Sequence, residues 1–262
     1  VIAGETVFKL YDTYGFPVDL TADIAREHNL TLDMPGFEAA MEIQRDQARA
    51  ASNFSAVEKL DLDGLEKTVF SGYSSLQSEA QIVGIFSPAN EKLDIVPANS
   101  EVLIVLDITP FYAESGGQIG DAGLLESDEA RFEVSDTQKQ SDIFIHRGRL
   151  TSGKLKIGDS VRALVAGNDR VAITLNHSAT HLMNAALRSL LGDHVLQKGS
   201  LVEADRLRFD FSHGAPVSAE EIRRIEEQVN VEILANSEVS KEVMSIEAAR
   251  SKGALALFGE KY

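Results

Sequence analysis

The residue pair with the clearest potential for chemistry is His177 and His181, which stand four positions apart. In an α-helix, side chains at i and i+4 project side by side, so both imidazoles can reach one zinc ion at about 2.0–2.1 Å. The same spacing also arises by chance on a solvated helix face. Because Ser178 stands where a zincin with the H-E-x-x-H motif carries its general base, a peptidase of that class is disfavoured.

An amphipathic helix over residues 177–191 must position this pair. At about 100° per residue, the two histidines and Thr180 share one face, and leucine, methionine and alanine fill the other. We expect Asn176 to be the N-cap and Gly192 to follow the last helical residue, because these residue types favour those positions.

A short polar segment follows this helix at residues 197–200. A loop that returns toward the helix would place the amide of Gln197 and the hydroxyl of Ser200 near Thr180, and an ordinary turn is the alternative. His213 is a candidate third zinc ligand, although a capping or surface role is the simpler interpretation. The other histidines have no partner at ligand spacing in the sequence: His28, His146 and His194.

A glycine-rich turn is predicted at residues 114–118, between two apparent strands. Gly116 and Gly117 could expose backbone amides to an anion or let a substrate approach closely. A wide β-turn or a β-bulge would have the same composition. The turn is not a P-loop, because the Lys-Ser/Thr ending of that motif is missing.

One segment is basic within an acidic chain. Residues 139–156 contain five basic residues and one acid, which gives a local charge of +4. The basic residues are Lys139, Arg147, Arg149, Lys154 and Lys156, and the acid is Asp142. This segment is the best candidate for contacts with phosphate groups, and a solvated basic hairpin would look the same.

Composition limits the classes of function. The 262 residues, 44% of them hydrophobic, can bury a large core. A net charge of −16, from 25 basic and 41 acidic residues, argues against salt-driven nucleic-acid binding over the whole surface, so any RNA contact must be local. With no cysteine, the chain alone builds no disulfide or thiolate metal site. No apolar run approaches about 18 residues and no signal peptide is apparent, so we expect a cytoplasmic location and no membrane partner.

The secondary-structure pattern changes twice along the chain. Residues 1–75 favour helices, one of them capped by Asp19 or Thr21 and the next beginning after Met34-Pro35-Gly36. From about residue 79, short β-branched runs between turn signals indicate a small antiparallel β-barrel or sandwich. After Asn168 the pattern mixes strands with helices, including a helix opened by a Ser218–Glu221 capping box. The chain is therefore expected to be α+β.

Six blocks of the sequence closely resemble alanyl-tRNA synthetases, and they occur in the same order. They are residues 8–21, 111–118, 177–181, 197–202, 206–211 and 257–262. Because these blocks run from one end of the chain to the other, the resemblance is far more specific than any single motif.

The resemblance implies an internal fragment of such a synthetase with three regions. Residues 1–75 would be the end of the helical tRNA-binding region, 76–167 a small β-barrel, and 168–262 an α+β, zinc-type editing domain. The implied reaction is hydrolysis of the ester that links a wrongly attached serine or glycine to tRNA(Ala). The implied partner is that mischarged tRNA, with no DNA partner. The aminoacylation core has no counterpart here, so ATP binding would belong only to the parent protein.

The resemblance also implies roles for particular residues. The family's first two zinc ligands map onto His177 and His181, its pocket residues onto Thr180, Gln197 and Ser200, and its glycine motif onto Gly116 and Gly117. The family's other two ligands come from a Cys-x-x-x-His segment. This chain has no cysteine and ends in a motif that precedes that segment, so two of four zinc ligands are present. We expect weak or absent metal binding by this chain alone.

Two other functions remain open. The chain could be a tRNA-binding or structural fragment that is inactive in isolation. It could also be a free-standing trans-editing protein, which shares the barrel and the histidine helix, although the block at residues 11–21 is expected only in a synthetase. Zinc analysis combined with a deacylation assay on mischarged tRNA separates these alternatives.

Overall fold

The computed structural model of the chain describes residues 1–51, 60–240, 242 and 244–253. The sequence block at 257–262 lies outside the described residues. The chain divides into two compact units, Val1–Leu60 and Asp61–Tyr262. Within the described ranges, none of the helices combines the length and apolarity that crossing a membrane requires. The domain boundaries expected at residues 75 and 167 stay predictions.

The first unit contains three helices: α1 (Gly4–Tyr14), α2 (Val18–Glu27) and α3 (Met34–Ala51). Gly15 ends α1 in the left-handed conformation, with φ at 64°. The expected cap of α2 was wrong: the N-cap residue is Pro17, and Thr21 Oγ1 instead donates to the Pro17 carbonyl oxygen at 3.1 Å.

Met34-Pro35-Gly36 forms the first turn of α3 and does not precede it as expected. Proline is tolerated in a first turn because the N–H group that it lacks would have no helical partner there. Asp33 caps this helix, since its Oδ1 accepts from the Gly36 backbone N–H at 3.0 Å.

The second unit begins with ten β-strands. They are β1 (Val69–Phe70), β2 (Gln77–Phe86), β3 (Ile95–Pro97), β4 (Glu101–Leu106), β5 (Ile108–Thr109), β6 (Gly123–Glu126), β7 (Arg131–Gln140), β8 (Ile143–Ser152), β9 (Lys154–Lys156) and β10 (Ser160–Val165). Six of them close into an antiparallel barrel in the order β10-β2-β4-β8-β7-β6. The predicted small antiparallel barrel is confirmed.

The barrel interior follows the alternation that strands impose, because successive side chains point to opposite faces. Phe132 and Val134 on β7 are buried, while Arg131 and Glu133 are exposed. Fully buried side chains from several strands meet in the barrel core, among them Ile82, Ile104, Phe132, Leu150 and Val161.

Four short strands were not anticipated from the sequence. β1, β3, β6 and β9 have only two to four residues each, which is too short to display a period of two. The β-branched run at residues 102–108 is interrupted at Asp107, whose Oδ1 accepts from the backbone N–H groups of Gln81 at 2.7 Å and Ile108 at 2.8 Å.

The remaining elements are α4 (Gly167–Leu191), β11 (Gln197–Val202), β12 (Leu207–Phe211), α5 (Ala219–Ala235) and α6 (Ile246–Ser251). Helix α4 begins at Gly167, not at residue 177 as expected. Asn176 therefore lies inside the helix, and its Nδ2 donates to the Glu203 carbonyl oxygen at 2.8 Å. Gly192 follows the last helical residue, as predicted.

Helix α5 opens with the predicted capping box. Ser218 Oγ accepts from the Glu221 N–H at 3.3 Å, and Glu221 Oε2 accepts from the Ser218 N–H at 2.8 Å. The apolar residues of α5 are only partly buried: Ile225 is buried in a cluster with Leu187 of α4, whereas Ile222 is 47% exposed. The structure thus confirms a mixed α and β chain with a closed barrel and six described helices.

A buried ion pair attaches α4 to the barrel. Arg170 Nε donates to Asp121 Oδ1 at 2.9 Å, and the side chains are only 13% and 2% exposed. The same guanidinium donates to the carbonyl oxygens of Gly72 and Pro110, each at 3.0 Å. Arg170 lies two turns before His177 on the same helix, so these bonds hold the part of α4 that precedes the histidine pair.

Candidate functional site

One small cavity collects most of the residues that the sequence singled out. Its volume is about 40 Å³, and six of its lining residues were predicted from the sequence: Gly116, His177, Thr180, His181, Gln197 and Ser200. They come from the glycine turn, from α4 and from β11. A cavity of this size accommodates a water molecule or a similarly small polar group.

The two imidazoles lie side by side on successive turns of α4. Their ring centroids are 5.1 Å apart and the ring planes differ by 18°. His177 is half-buried and His181 is exposed, so the cavity is reached from the His181 side. The i, i+4 spacing therefore places the two rings side by side, as helix geometry predicts.

A buried glutamine determines the proton position on His177. Gln118 Oε1 lies 2.7 Å from His177 Nδ1, and Gln118 is 7% exposed. An amide oxygen only accepts hydrogen bonds, so Nδ1 carries the proton. In this tautomer, Nε2 is the ring nitrogen whose chemistry suits an acceptor or a metal ligand.

The glycine turn packs against β11. Gly116 and Gly117 both have positive φ angles, 61° and 85°, which glycine adopts readily. A Cβ atom on Gly117 would lie 2.6 Å from the Ser200 carbonyl oxygen. The Gly117 carbonyl oxygen accepts from the Val202 N–H at 2.8 Å. The close approach at Gly117 is therefore to the chain's own strand.

Thr180 faces the cavity with its hydroxyl proton already engaged. The side chain is 7% exposed, and Oγ1 donates to the Asn176 carbonyl oxygen at 2.8 Å, four residues earlier in α4. While that bond is made, Oγ1 is available to a ligand only as an acceptor.

Gln197 and Ser200 lie on a strand, not on the loop or turn that was expected. β11 pairs with β12 in antiparallel register, with an irregularity between Gln197 and Gly199. Polar residues around a glycine are typical of a turn, and the bulge absorbs this glycine within the strand. Both side chains still reach the cavity beside Thr180.

Four contributors to the site were missed as site residues. Asn184, Val202 and Phe209 line the cavity, and Gln118 supports His177. Asn184 was detectable, because it lies on the same helix face as the two histidines. The other three come from distant segments, and only the folded chain brings them to the cavity.

His194 and His213 contact each other and do not line the cavity. His213 Nδ1 is 2.8 Å from His194 Nε2, and the two rings stack with centroids 5.0 Å apart. The fold thus gives His194 a partner that its sequence spacing did not predict. Among the described residues, no group of three or more His, Cys, Asp or Glu side chains could hold a metal.

His146 belongs to the barrel core. Its side chain is fully buried, Nδ1 lies 3.0 Å from the Ile104 carbonyl oxygen, and Nε2 lies 2.7 Å from Thr109 Oγ1. Burial lowers the pKa of His146 to about 4, although the bond to Ile104 opposes the shift.

Two carboxyl groups near the glycine turn are also affected by burial. Burial raises the pKa of Asp136. Burial and the charge of Asp136 together raise the pKa of Glu114. Neither group lines the small cavity.

The basic segment does not form one surface. Lys139 lies 3.4 Å from Asp142, whose pKa is lowered first by its hydrogen bond to Lys67 and then by Lys139. Arg147 and Arg149 line a different groove of about 430 Å³. There the strand register places Arg149 opposite Glu101 on β4 and Glu133 on β7. Acidic neighbours on adjacent strands thus offset part of this segment's charge.

Comparison with known proteins confirms the resemblance noted in the sequence. The family model described as tRNA synthetases class II (A) matches residues 1–168. The alanine–tRNA ligase of Methylococcus capsulatus is 55% identical over 263 residues, and that of Nitrosomonas europaea is 53% identical over 262 residues. Each alignment covers 100% of this chain and 30% of the relative, so the chain spans under a third of their length. The chain therefore belongs to the class II (A) family of tRNA synthetases.

Proposed function

We propose that this chain carries the editing activity of an alanyl-tRNA synthetase, the hydrolysis of seryl- or glycyl-tRNA(Ala). The observation that carries this proposal is the convergence of two imidazoles, Thr180, Gln197 and Ser200 on one small cavity. The similarity to proteins named alanine–tRNA ligases supports tRNA(Ala) as the partner.

Recognition of serine needs polar groups, because an apolar pocket discriminates poorly against a ligand that merely adds a hydroxyl. Thr180 meets this need. Its Oγ1 donates to Asn176 and is open as an acceptor, so it can accept a hydrogen bond from the serine hydroxyl. We assign Thr180 to that contact, with Gln197 and Ser200 orienting the ester or the attacking water.

Zinc fits the donor chemistry of this site in part. Neutral imidazoles are good zinc ligands, and the bond from His177 Nδ1 to Gln118 prepares Nε2 for that role. His177 and His181 would hold the ion, and two further ligands must come from outside the described residues. When bound, zinc lowers the pKa of a bound water or fixes the substrate's amino group.

The residues around the cavity also limit which side chains can act as a general base. Among the described residues, the cavity lining contains no carboxylate, and its only side chains with a basic nitrogen are the two imidazoles. An imidazole nitrogen cannot accept a proton and ligate a metal at the same time. Removal of zinc with a chelator therefore distinguishes the two roles of the histidines. Turnover is abolished if they bind the metal, and it is retained if one of them is the general base.

The decisive experiment compares two threonines of α4. Thr180→Val should slow deacylation of seryl-tRNA(Ala) by about tenfold or more, because a buried acceptor is lost. Thr174→Val is the matched control, since Thr174 Oγ1 makes the same bond to the carbonyl oxygen four residues earlier but is exposed.

Both variants are assayed in this chain with added zinc and in the full-length synthetase. Equal deacylation by the Thr180→Val variant and the wild type would refute the assigned contact. Binding of tRNA without turnover in either protein would support the alternative of an inert tRNA-binding module.

A further inference from the structure

A second cavity has a volume of about 390 Å³. Its lining includes Ser115, the residue immediately before Gly116 of the glycine turn. We call it the aromatic pocket and define it by Phe70, Tyr73, Tyr112 and Phe144, together with Lys67 and Lys139. Its volume falls in the range of about 300–1,000 Å³ that is usual for small-molecule sites.

The four rings form one cluster around Phe70. Phe70 stacks on Phe144, with centroids 5.4 Å apart and planes 8° apart. It meets Tyr73 and Tyr112 edge to face, at 5.0 Å and 6.2 Å. Tyr73 is 80% exposed. An exposed ring beside other rings provides a surface on which a nucleobase stacks.

Cations flank these rings. Lys67 Nζ and Lys139 Nζ lie 2.7 Å and 3.4 Å from Asp142, which leaves one positive charge in excess among the three groups. Lys139 Nζ also lies 5.6 Å from the centre of the Phe144 ring. The chain as a whole has a net charge of −16. This local positive charge therefore makes the pocket a better site for a phosphate group than most of the surface.

A larger depression on the barrel, of about 620 Å³, does not offer this combination. Its lining includes Glu79, Glu126, Asp128 and Glu129. Two arginines also line it, but both pair with Glu126. This acidic lining would repel a nucleic-acid backbone.

The aromatic pocket and the histidine cavity border adjacent residues of the glycine turn. Ser115 lines the aromatic pocket and Gly116 lines the histidine cavity. Consecutive Cα atoms are about 3.8 Å apart, so the linings of the two cavities approach each other at this point of the turn. In an aminoacyl-tRNA, the ester sits on the ribose of the terminal adenosine.

We propose that the aromatic pocket binds the terminal adenosine of tRNA. The adenine stacks on the ring cluster, and Lys67 and Lys139 face the preceding phosphate. The aminoacyl ester then extends past Ser115 and Gly116 into the histidine cavity. This inference rests on the proposed function and adds the nucleoside subsite to it.

The test uses an RNA minihelix with the tRNA(Ala) acceptor end and measures its affinity for the chain. Tyr73→Ala should weaken binding by about 5- to 150-fold, the range observed when a stacking ring is removed. Tyr73→Phe should bind nearly as the wild type. Leu234→Ala, at a side chain 83% exposed on α5, is the control and should leave affinity unchanged. Lys67→Ala should reduce the slope of log affinity against log salt concentration by about the contribution of one phosphate contact.

A second measurement locates the base directly. A minihelix with 8-azidoadenosine at its 3′ end should cross-link within residues 67–73, 112–115 or 139–144. Cross-links elsewhere, or wild-type affinity in the Tyr73→Ala variant, would overturn the inference. Cross-links in the pocket without deacylation by the wild type would support the subsite and count against the hydrolase. If the wild type deacylates the substrate and the Tyr73→Ala variant does so with an unchanged KM, the hydrolase function would stand and the adenosine subsite would be rejected.

Discussion

The Nδ1 atom of His177 lies 2.7 Å from the Oε1 atom of Gln118, a residue 59 positions earlier in the chain. This bond makes the glycine turn a support for the histidine helix. It selects the imidazole tautomer with the proton on Nδ1, because an amide oxygen cannot donate. Gln118 is therefore a positioning residue, which acts on the site through His177.

Gln118→Leu should remove the preference of His177 for the Nδ1–H tautomer. We expect wild-type His177 to be in the Nδ1–H form and the variant to populate both neutral tautomers, which long-range ¹⁵N NMR of the imidazole distinguishes. At the proposed zinc site, assayed in the full-length synthetase with added zinc, the same change should weaken zinc affinity by about 10- to 100-fold, the usual cost of removing such a partner.

The control for this experiment is Gln77→Leu, at an exposed position on β2. It should alter neither the His177 tautomer nor the affinity for zinc. A His177 signal that is the same in Gln118→Leu and in the wild type would show that the glutamine does not select the tautomer.

The buried pair Arg170–Asp121 should dominate the attachment of α4 to the barrel. Arg170→Met leaves Asp121 as an uncompensated charge that is 2% exposed, and it removes the donors to the Gly72 and Pro110 carbonyl oxygens. We expect the free energy of unfolding to fall by about 3–5 kcal/mol, measured by urea denaturation. Arg170→Lys should also be costly, because an ammonium cannot reproduce the fork of the guanidinium.

Arg223→Met is the matched control for that change. Arg223 on α5 pairs with Glu220 and Glu227 at 2.6 Å and 2.7 Å, but all three side chains are more than half exposed. Its loss should change stability far less than the loss of Arg170 does, because solvent screens an exposed ion pair. Equal effects of the two substitutions would show that burial of the Arg170 pair does not determine its contribution.

Local signals predicted much of the fold. The capping box of α5 and the end of α4 at Gly192 follow from residues within one turn of each boundary. The start of α4 was misplaced because Asn176 is a good capping residue. Its side chain instead donates to the Glu203 carbonyl oxygen, 27 residues away in the sequence. A tertiary contact of this kind leaves no periodic signal.

The site was predicted to the extent that its residues lie on one helix or in recognisable blocks. His177, Thr180 and His181 share a face of α4 by helical geometry. Gln118 reaches His177 only because its turn pairs with β11, through the bond between Gly117 and Val202. The aromatic pocket is similar, since Phe70 and Phe144 stack across segments 74 residues apart in the sequence. Sequence spacing does not predict such contacts.

His146 should make the chain less stable as the pH falls. The unfolded chain binds a proton on this imidazole near pH 6.5, whereas burial delays protonation of the folded chain until about pH 4. Below pH 6.5 the unfolded state therefore gains a proton that the folded state lacks. The folded state keeps its full stability with respect to this group above pH 6.5 and loses on the order of 3 kcal/mol as the pH falls to about 4.

The measurement is the urea-derived stability between pH 4 and pH 8, compared with His146→Asn. Asparagine removes the titration and retains an N–H donor for the Ile104 carbonyl oxygen. The difference between wild type and variant should shift in favour of the variant as the pH falls from 6.5. A difference that is constant with pH would contradict the assignment of His146 as a neutral core residue.

The two glycines of the turn should respond differently to alanine, although both have positive φ. At Gly116 a Cβ atom meets nothing within 4 Å, so Gly116→Ala bears only the conformational cost of about 1 kcal/mol. At Gly117 the Cβ atom would lie 2.6 Å from the Ser200 carbonyl oxygen and 3.0 Å from the Ser200 Cβ atom, and the strand must move. Gly117→Ala should therefore cost about 1–3 kcal/mol more than Gly116→Ala in urea denaturation. It should also displace Ser200 from the cavity and slow deacylation of seryl-tRNA(Ala) more than Gly116→Ala does. Equal losses of stability in the two variants would mean that φ, and not the contact with β11, requires glycine at position 117.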